Sequence, residues 1–234
     1  MSEQRTDLVA EVSRRLAAHG NPARAVAQQR YMKSLLPYHG VPSPVVALIC
    51  REVFQNVAFA DAAEWERTAL SLWDGATHRE EWYVALQLLR LRRYHAWATA
   101  PGLVPTLRHL IASGAWWDVV DDIASHLVGD LLRARPSDVA PTIRAWATDP
   151  DPWLRRAAIL SQLGSKRQTD TDLLAYALTS NLTDPGFFLR KGIGWALREY
   201  AKTDPAWVLG FVSDHRGSLS TLSRREALKH LDPQ

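Results

Sequence analysis

Apolar residues recur along this chain at the three- and four-residue spacing of helices. Val45, Val46, Ile49 and Val53 form one such stripe, and Trp82, Ala85, Leu86 and Leu89 form another. Strict apolar–polar alternation, the mark of a half-buried strand, is hard to find, so the pattern predicts about twelve helices. Breaks fall at His39-Gly40-Val41-Pro42, Pro101-Gly102, Asp149-Pro150-Asp151-Pro152, Asp184-Pro185-Gly186 and Thr203-Asp204-Pro205. The Asp-Pro pairs suit helix starts, because aspartate can cap free N–H groups and proline at the first helical position forfeits no hydrogen bond.

Four segments align on an aromatic residue: Trp82, Trp117, Trp153 and Phe188. Their separation, about 35 residues, is the length of a two-helix repeat, which predicts an all-α, curved solenoid of stacked hairpins with a concave groove. With each aromatic as position zero, Trp117 is at zero, Asp121 at four, Arg156 at three of the next repeat and Trp195 at seven of the last. Positions 0, 3, 4 and 7 share a helix face. Stacked repeats should therefore bring two tryptophans, a carboxylate and a guanidinium to one surface. If that face were dry core, Asp121, Arg156 and Lys191 would be costly there unless paired. A partly open groove is the expected arrangement.

Length and a 47% apolar composition fit one domain over residues 1–234. The single cysteine, Cys50, has no partner for an internal disulfide or a thiolate zinc site and suits a reducing cytoplasm. The polar start, MSEQRTDLVAEVSRR, is unlike a secretory signal, and no apolar run is long enough for a membrane span. A cytoplasmic, monomeric protein is expected. Net charge is only +3, a weak sign of a polyanionic partner. Acidic residues outnumber basic ones over 101–150, and the balance reverses over 151–234.

The stretches NPARAVAQQRYMKSLLPYHGV (21–41), WWDVVDDI (116–123), DPWLRRAAILSQL (151–163), FFLRKGIGWALREYAKTDP (187–205) and LSRREALKHL (222–231) resemble, in order, segments of the AlkD-type DNA alkylpurine glycosylases. The resemblance implies HEAT-like repeats holding double-stranded DNA that contains alkylated purines, and excision of cationic N3- and N7-alkylpurines without base flipping. It implies catalytic roles for Asp121, Trp117 and Trp195, and DNA contacts from Arg156, Tyr31, Lys166, Arg167 and Arg198. No cofactor or metal is implied. One departure is Gly164, where the family's basic run suggests a lysine.

Such residues suit this chemistry. A base carrying positive charge leaves without protonation, so the protein need only stabilise an oxocarbenium-like sugar and orient water, which a carboxylate can do. Tryptophan faces attract the cationic sugar, and arginine suits a phosphate. Two alternatives stand beside this reading: a non-catalytic scaffold for DNA or protein, and a metal-dependent hydrolase built on the stripe Asp118, Asp122, His126 and Asp130. The stripe is more simply a solvated acidic face. Glu226 and His230 repeat its spacing and suggest a surface hydrogen bond.

Overall fold

The computed structural model describes residues 3–231, and every described element is helical. Two compact units divide between Trp97 and Ala98. The first contains α1 (Glu3–Ala18), α2 (Pro22–Met32), α3 (Ser43–Phe54), α4 (Ala62–Asp74) and α5 (Arg79–Leu89), with the short α6 (His95–Ala98) at the boundary. The second contains α7 (Val104–Gly114), α8 (Trp117–Asp122), α9 (Gly129–Ala134), α10 (Pro136–Ala147), α11 (Pro152–Leu160), α12 (Thr171–Thr179), α13 (Phe187–Ala201), α14 (Pro205–Asp214) and α15 (Thr221–Ala227). No described helix is long and apolar enough to cross a membrane.

The helix starts follow from local side-chain chemistry. Asp151 accepts from the Trp153 amide at 2.8 Å and Asp204 from the Trp207 amide at 2.9 Å, each with proline at the first helical position. The expected Asp-Pro logic therefore holds at those two breaks. It does not hold at Asp184: Gly186 occupies the capping position before α13, which has no side-chain cap. Asn21, Asp61, Asp170 and Ser220 cap α2, α4, α12 and α15 in the usual way.

In the first unit, α1, α3, α4 and α5 pack on one another, burying Val46, Ile49, Val53 and Leu89, as their spacing predicts. Trp82 stacks on Trp73 with ring centroids 4.6 Å apart and donates its Nε1–H to the Trp73 carbonyl at 2.9 Å, so it serves the packing. Cys50 is buried, and its thiol is pushed up to about 12 by desolvation.

In the second unit, α8 packs on α11, and α11 on α13. The three later repeat aromatics therefore lie on successive packed helices. The run from Trp117 to Ala134 contains a feature that helical periodicity does not signal: Ile123–Val128 forms a π-helical segment between α8 and α9. Wide π turns are often found at functional sites.

Helices α13 and α15 approach each other closely. An added Cβ on Gly194 would lie 2.6 Å from Glu226 Cβ and 2.9 Å from the Ser223 carbonyl oxygen. Ser223 Oγ donates to the Arg190 carbonyl at 2.8 Å, while Glu226 accepts from Lys191 at 2.9 Å and Arg198 at 2.6 Å. A glycine inside a helix costs about 1 kcal/mol relative to alanine; here it admits the neighbouring backbone. Gly194→Ala should consequently destabilise the protein by about 1–3 kcal/mol, seen as a lower urea midpoint. An increase in stability would show that α15 does not depend on this gap.

Candidate functional site

The segment leading into α8 is sharply turned. Ala115 ends α7 with φ 36°, in the left-handed region that favours glycine, and Trp116 is extended at φ −152°. Helix α8 then begins at Trp117, placing Asp121 one helical turn later on the same side. Trp117 is half-buried and the Asp121 side chain largely buried.

Asp121 meets Arg156 of α11 in a two-pronged ion pair. Arg156 Nε donates to Oδ1 and Nη2 to Oδ2, both at 2.7 Å. The remaining terminal nitrogen, Nη1, donates to the carbonyl of Phe188 at the start of α13. The two side chains are only 5% and 12% exposed. Burial raises the Asp121 carboxyl above the ordinary aspartate range, opposed by the hydrogen bonds and charge of Arg156.

An aromatic cluster adjoins this pair through Phe188. The Trp116, Trp153 and Phe188 rings form a cluster with centroid separations of 5.9, 5.2 and 5.0 Å. The Arg156 guanidinium carbon lies 5.9 Å from the Phe188 ring centroid. Gly192 faces it, since a Cβ there would come within 3.1 Å of Arg156 Nη1. Trp195 follows three residues later on α13, half-buried.

Residues 12–231 match the family described as DNA alkylation repair enzyme. The chain belongs to that family. A solved structure, described as a predicted DNA alkylation repair enzyme from Enterococcus faecalis, is 28% identical with a TM-score of 0.79, and the alignment covers 92% of this chain and 98% of that one. No curated protein sequence matches significantly.

For this DNA alkylation repair enzyme family member, the structure joins two of the expected site residues directly and alters the expected setting of several others. Arg156 does not stand open in a groove: it is buried, with all its nitrogens engaged by protein acceptors. Arg198 and Lys191 are likewise engaged, sharing Glu226, whose carboxyl is held below its usual range chiefly by the Lys191 hydrogen bond. Glu226 thus pairs with these cations, where the sequence suggested His230. Lys166 and Arg167 are exposed on a 3-10 turn, and Tyr31 is 75% exposed on α2 of the first unit. Gly164 has φ 78°, in the left-handed region that favours glycine.

Among the described residues, the acidic stripe is not one of the groups of three whose ligand atoms lie close enough to hold a metal. Asp122 lies 3.6 Å from His126, and Asp130 pairs with Arg133. Among the described residues, the one group of three whose ligand atoms converge is His39, His78 and Glu81, in the first unit. Sequence reasoning missed that group. It also missed Phe188's carbonyl and Gly192 as supports for Arg156, although glycine within a strongly helical pattern is a sign of close backbone approach.

Arg156→Ala should cost about 3–5 kcal/mol of stability, because it strands a buried carboxylate. Lys166→Ala should change stability by less than about 0.5 kcal/mol. Chemical denaturation of both variants checks the contrast; equal, small effects would show that the Arg156 pair carries no structural weight.

Proposed function

We propose that this protein is a monofunctional DNA glycosylase that hydrolyses the N-glycosidic bond of cationic N3- or N7-alkylated purines in duplex DNA, without flipping the base. The observation that carries this reading is the Asp121 carboxylate, buried yet held in a fixed orientation by Arg156, within a chain of the DNA alkylation repair enzyme family.

In the proposed reaction the C1′–N bond breaks and its electron pair neutralises the departing purine. Water adds to C1′ and loses a proton, leaving free base and an abasic site. Asp121 opposes the positive charge on the sugar and accepts a hydrogen bond from the attacking water. Each carboxylate oxygen has a second lone pair beyond the one that Arg156 occupies. Trp117, one turn before Asp121, and Trp195 present ring faces to the sugar cation, an attraction of about 0.5–2 kcal/mol each. Arg156 is a positioning residue: it fixes both carboxylate oxygens, and its hydrogen bonds and charge favour the ionised form against the opposing effect of burial. Lys166, Arg167, Arg198 and Tyr31 contact the DNA, with the exposed Lys166 and Arg167 meeting phosphates without losing a protein partner. Selectivity then derives from the charge and weak glycosidic bond of the lesion.

A second reading is favoured by the same ion pair: Asp121 and Arg156 are a structural clasp in a DNA-binding scaffold. Duplex DNA with one N7-methylguanine separates the two, with free base as the readout. The wild-type protein should release the base, also in EDTA, because Asp121 orients the water. Asp121→Asn should bind the duplex and slow release about 100-fold, by loss of charge stabilisation. Unchanged single-turnover release by a folded Asp121→Asn protein would remove Asp121 from the reaction and leave the clasp.

A further inference from the structure

We propose that His39, His78 and Glu81 form a divalent-metal site of the zinc type in the first unit, separate from Asp121 and Arg156. One ligand atom from each residue lies within 4.8 Å of the others. Two imidazole nitrogens and one carboxylate oxygen are a donor set suited to Zn²⁺, with a fourth position left for water.

The chain builds this corner with care. His39 is on the segment between α2 and α3, and its backbone is fixed by Glu80, whose carboxylate accepts from the amides of His39, Gly40 and Val41 at 2.9–3.0 Å. His78 directly precedes α5, and Glu81 belongs to the first turn of that helix. Glu81 Oε2 accepts from the amides of Thr77 at 2.6 Å and His78 at 3.1 Å, while Oε1 accepts from Ser13 Oγ at 2.6 Å. The second lone pair of Oε1 remains for a metal.

The ring nitrogen His39 Nε2 is the decisive atom. It is buried without a hydrogen-bond partner and lies 4.0 Å from Glu81 Oε1, in a side chain only 10% exposed. A buried polar atom left unsatisfied is costly, and a metal would satisfy it. Two carboxylates at adjacent positions, Glu80 and Glu81, add the negative charge that a dication requires.

The two imidazoles are stacked, with centroids 3.7 Å apart and planes 13° from parallel. Metal ligands in a tetrahedral zinc site lie roughly 3.3 Å from each other, so binding closes the cluster by on the order of 1 Å and tilts the rings apart. The product is a clip joining the segment before α3 to the start of α5, with Ser13 of α1 orienting the carboxylate as an outer-shell partner. It adds a structural function and no step in base excision.

The test is titration of chelator-stripped, full-length protein with ZnCl₂ by calorimetry, with melting curves and, for geometry, the visible spectrum of the Co²⁺ form. Binding of one Zn²⁺ per chain should raise Tm by about 5–10 °C when free metal is 100-fold above Kd. His39→Ala and His78→Gln should each weaken binding at least 10-fold, whereas His126→Ala should leave it unchanged. If His39→Ala does not fold, His78→Gln decides the question. Absence of saturable binding to the wild type, or unchanged affinity in a folded His39→Ala or His78→Gln protein, overturns the site. Base release in EDTA is read separately, so the two proposals fail independently.

Discussion

The fork of hydrogen bonds between Arg156 and Asp121 is the constraint on which the second unit's candidate site depends. Both groups lose most of their water, and neither could be left there alone. Their pairing joins α8 to α11, and the third contact, to the Phe188 carbonyl, extends the connection to α13. Gly192 leaves room for the guanidinium, and the ring of Phe188 lies beneath it. A larger residue at position 192 would press on the arginine before it touched any substrate. Packing and chemistry thus meet at a single side chain: the geometry that stabilises three helices also orients the carboxylate.

The helical class and most chain breaks were legible in the sequence, because amphipathic spacing and Asp-Pro starts reflect forces that act within a few residues. The repeat register was also informative. It placed Asp121 and Arg156 on facing positions of successive helices, and they meet at 2.7 Å. What it could not decide was whether those charges faced water or each other, since that depends on how closely α8, α11 and α13 approach. The register was one residue off in its packing partner too, for Trp116 joins Trp153 and Phe188 while Trp117 opens α8. The turn at Ala115 sets that offset, and alanine there carries no sequence signal for a positive φ. The π segment after Asp122 was hidden for a related reason: its buried residues Ile123, Ala124, Leu127 and Val128 fit an ordinary helical stripe.

The cationic residues divide by what they already hold. Lys191 and Arg198 are committed to Glu226, and Arg156 to Asp121. A DNA phosphate must compete with those partners, whereas exposed Lys166 and Arg167 can exchange only water and counterions. The contribution of each cation to DNA binding therefore cannot be read from charge alone. In the proposed mechanism Arg156 acts through Asp121, where its guanidinium matters for its two-pronged shape as much as for its charge.

That dependence is tested most directly by the pH profile of single-turnover base release from N7-methylguanine duplex, compared between the wild type and Arg156→Lys. Lysine retains the positive charge but cannot hold both carboxylate oxygens with a planar fork. In the proposed reaction Asp121 acts as the carboxylate; burial raises its pKa, so weaker support from position 156 should raise it further. Activity should then be lost at a higher pH as the solution is acidified, with the acid limb moved upward. Superimposable profiles for the two folded proteins would contradict the account, showing that Arg156 does not control the ionisation of the group on which the reaction depends.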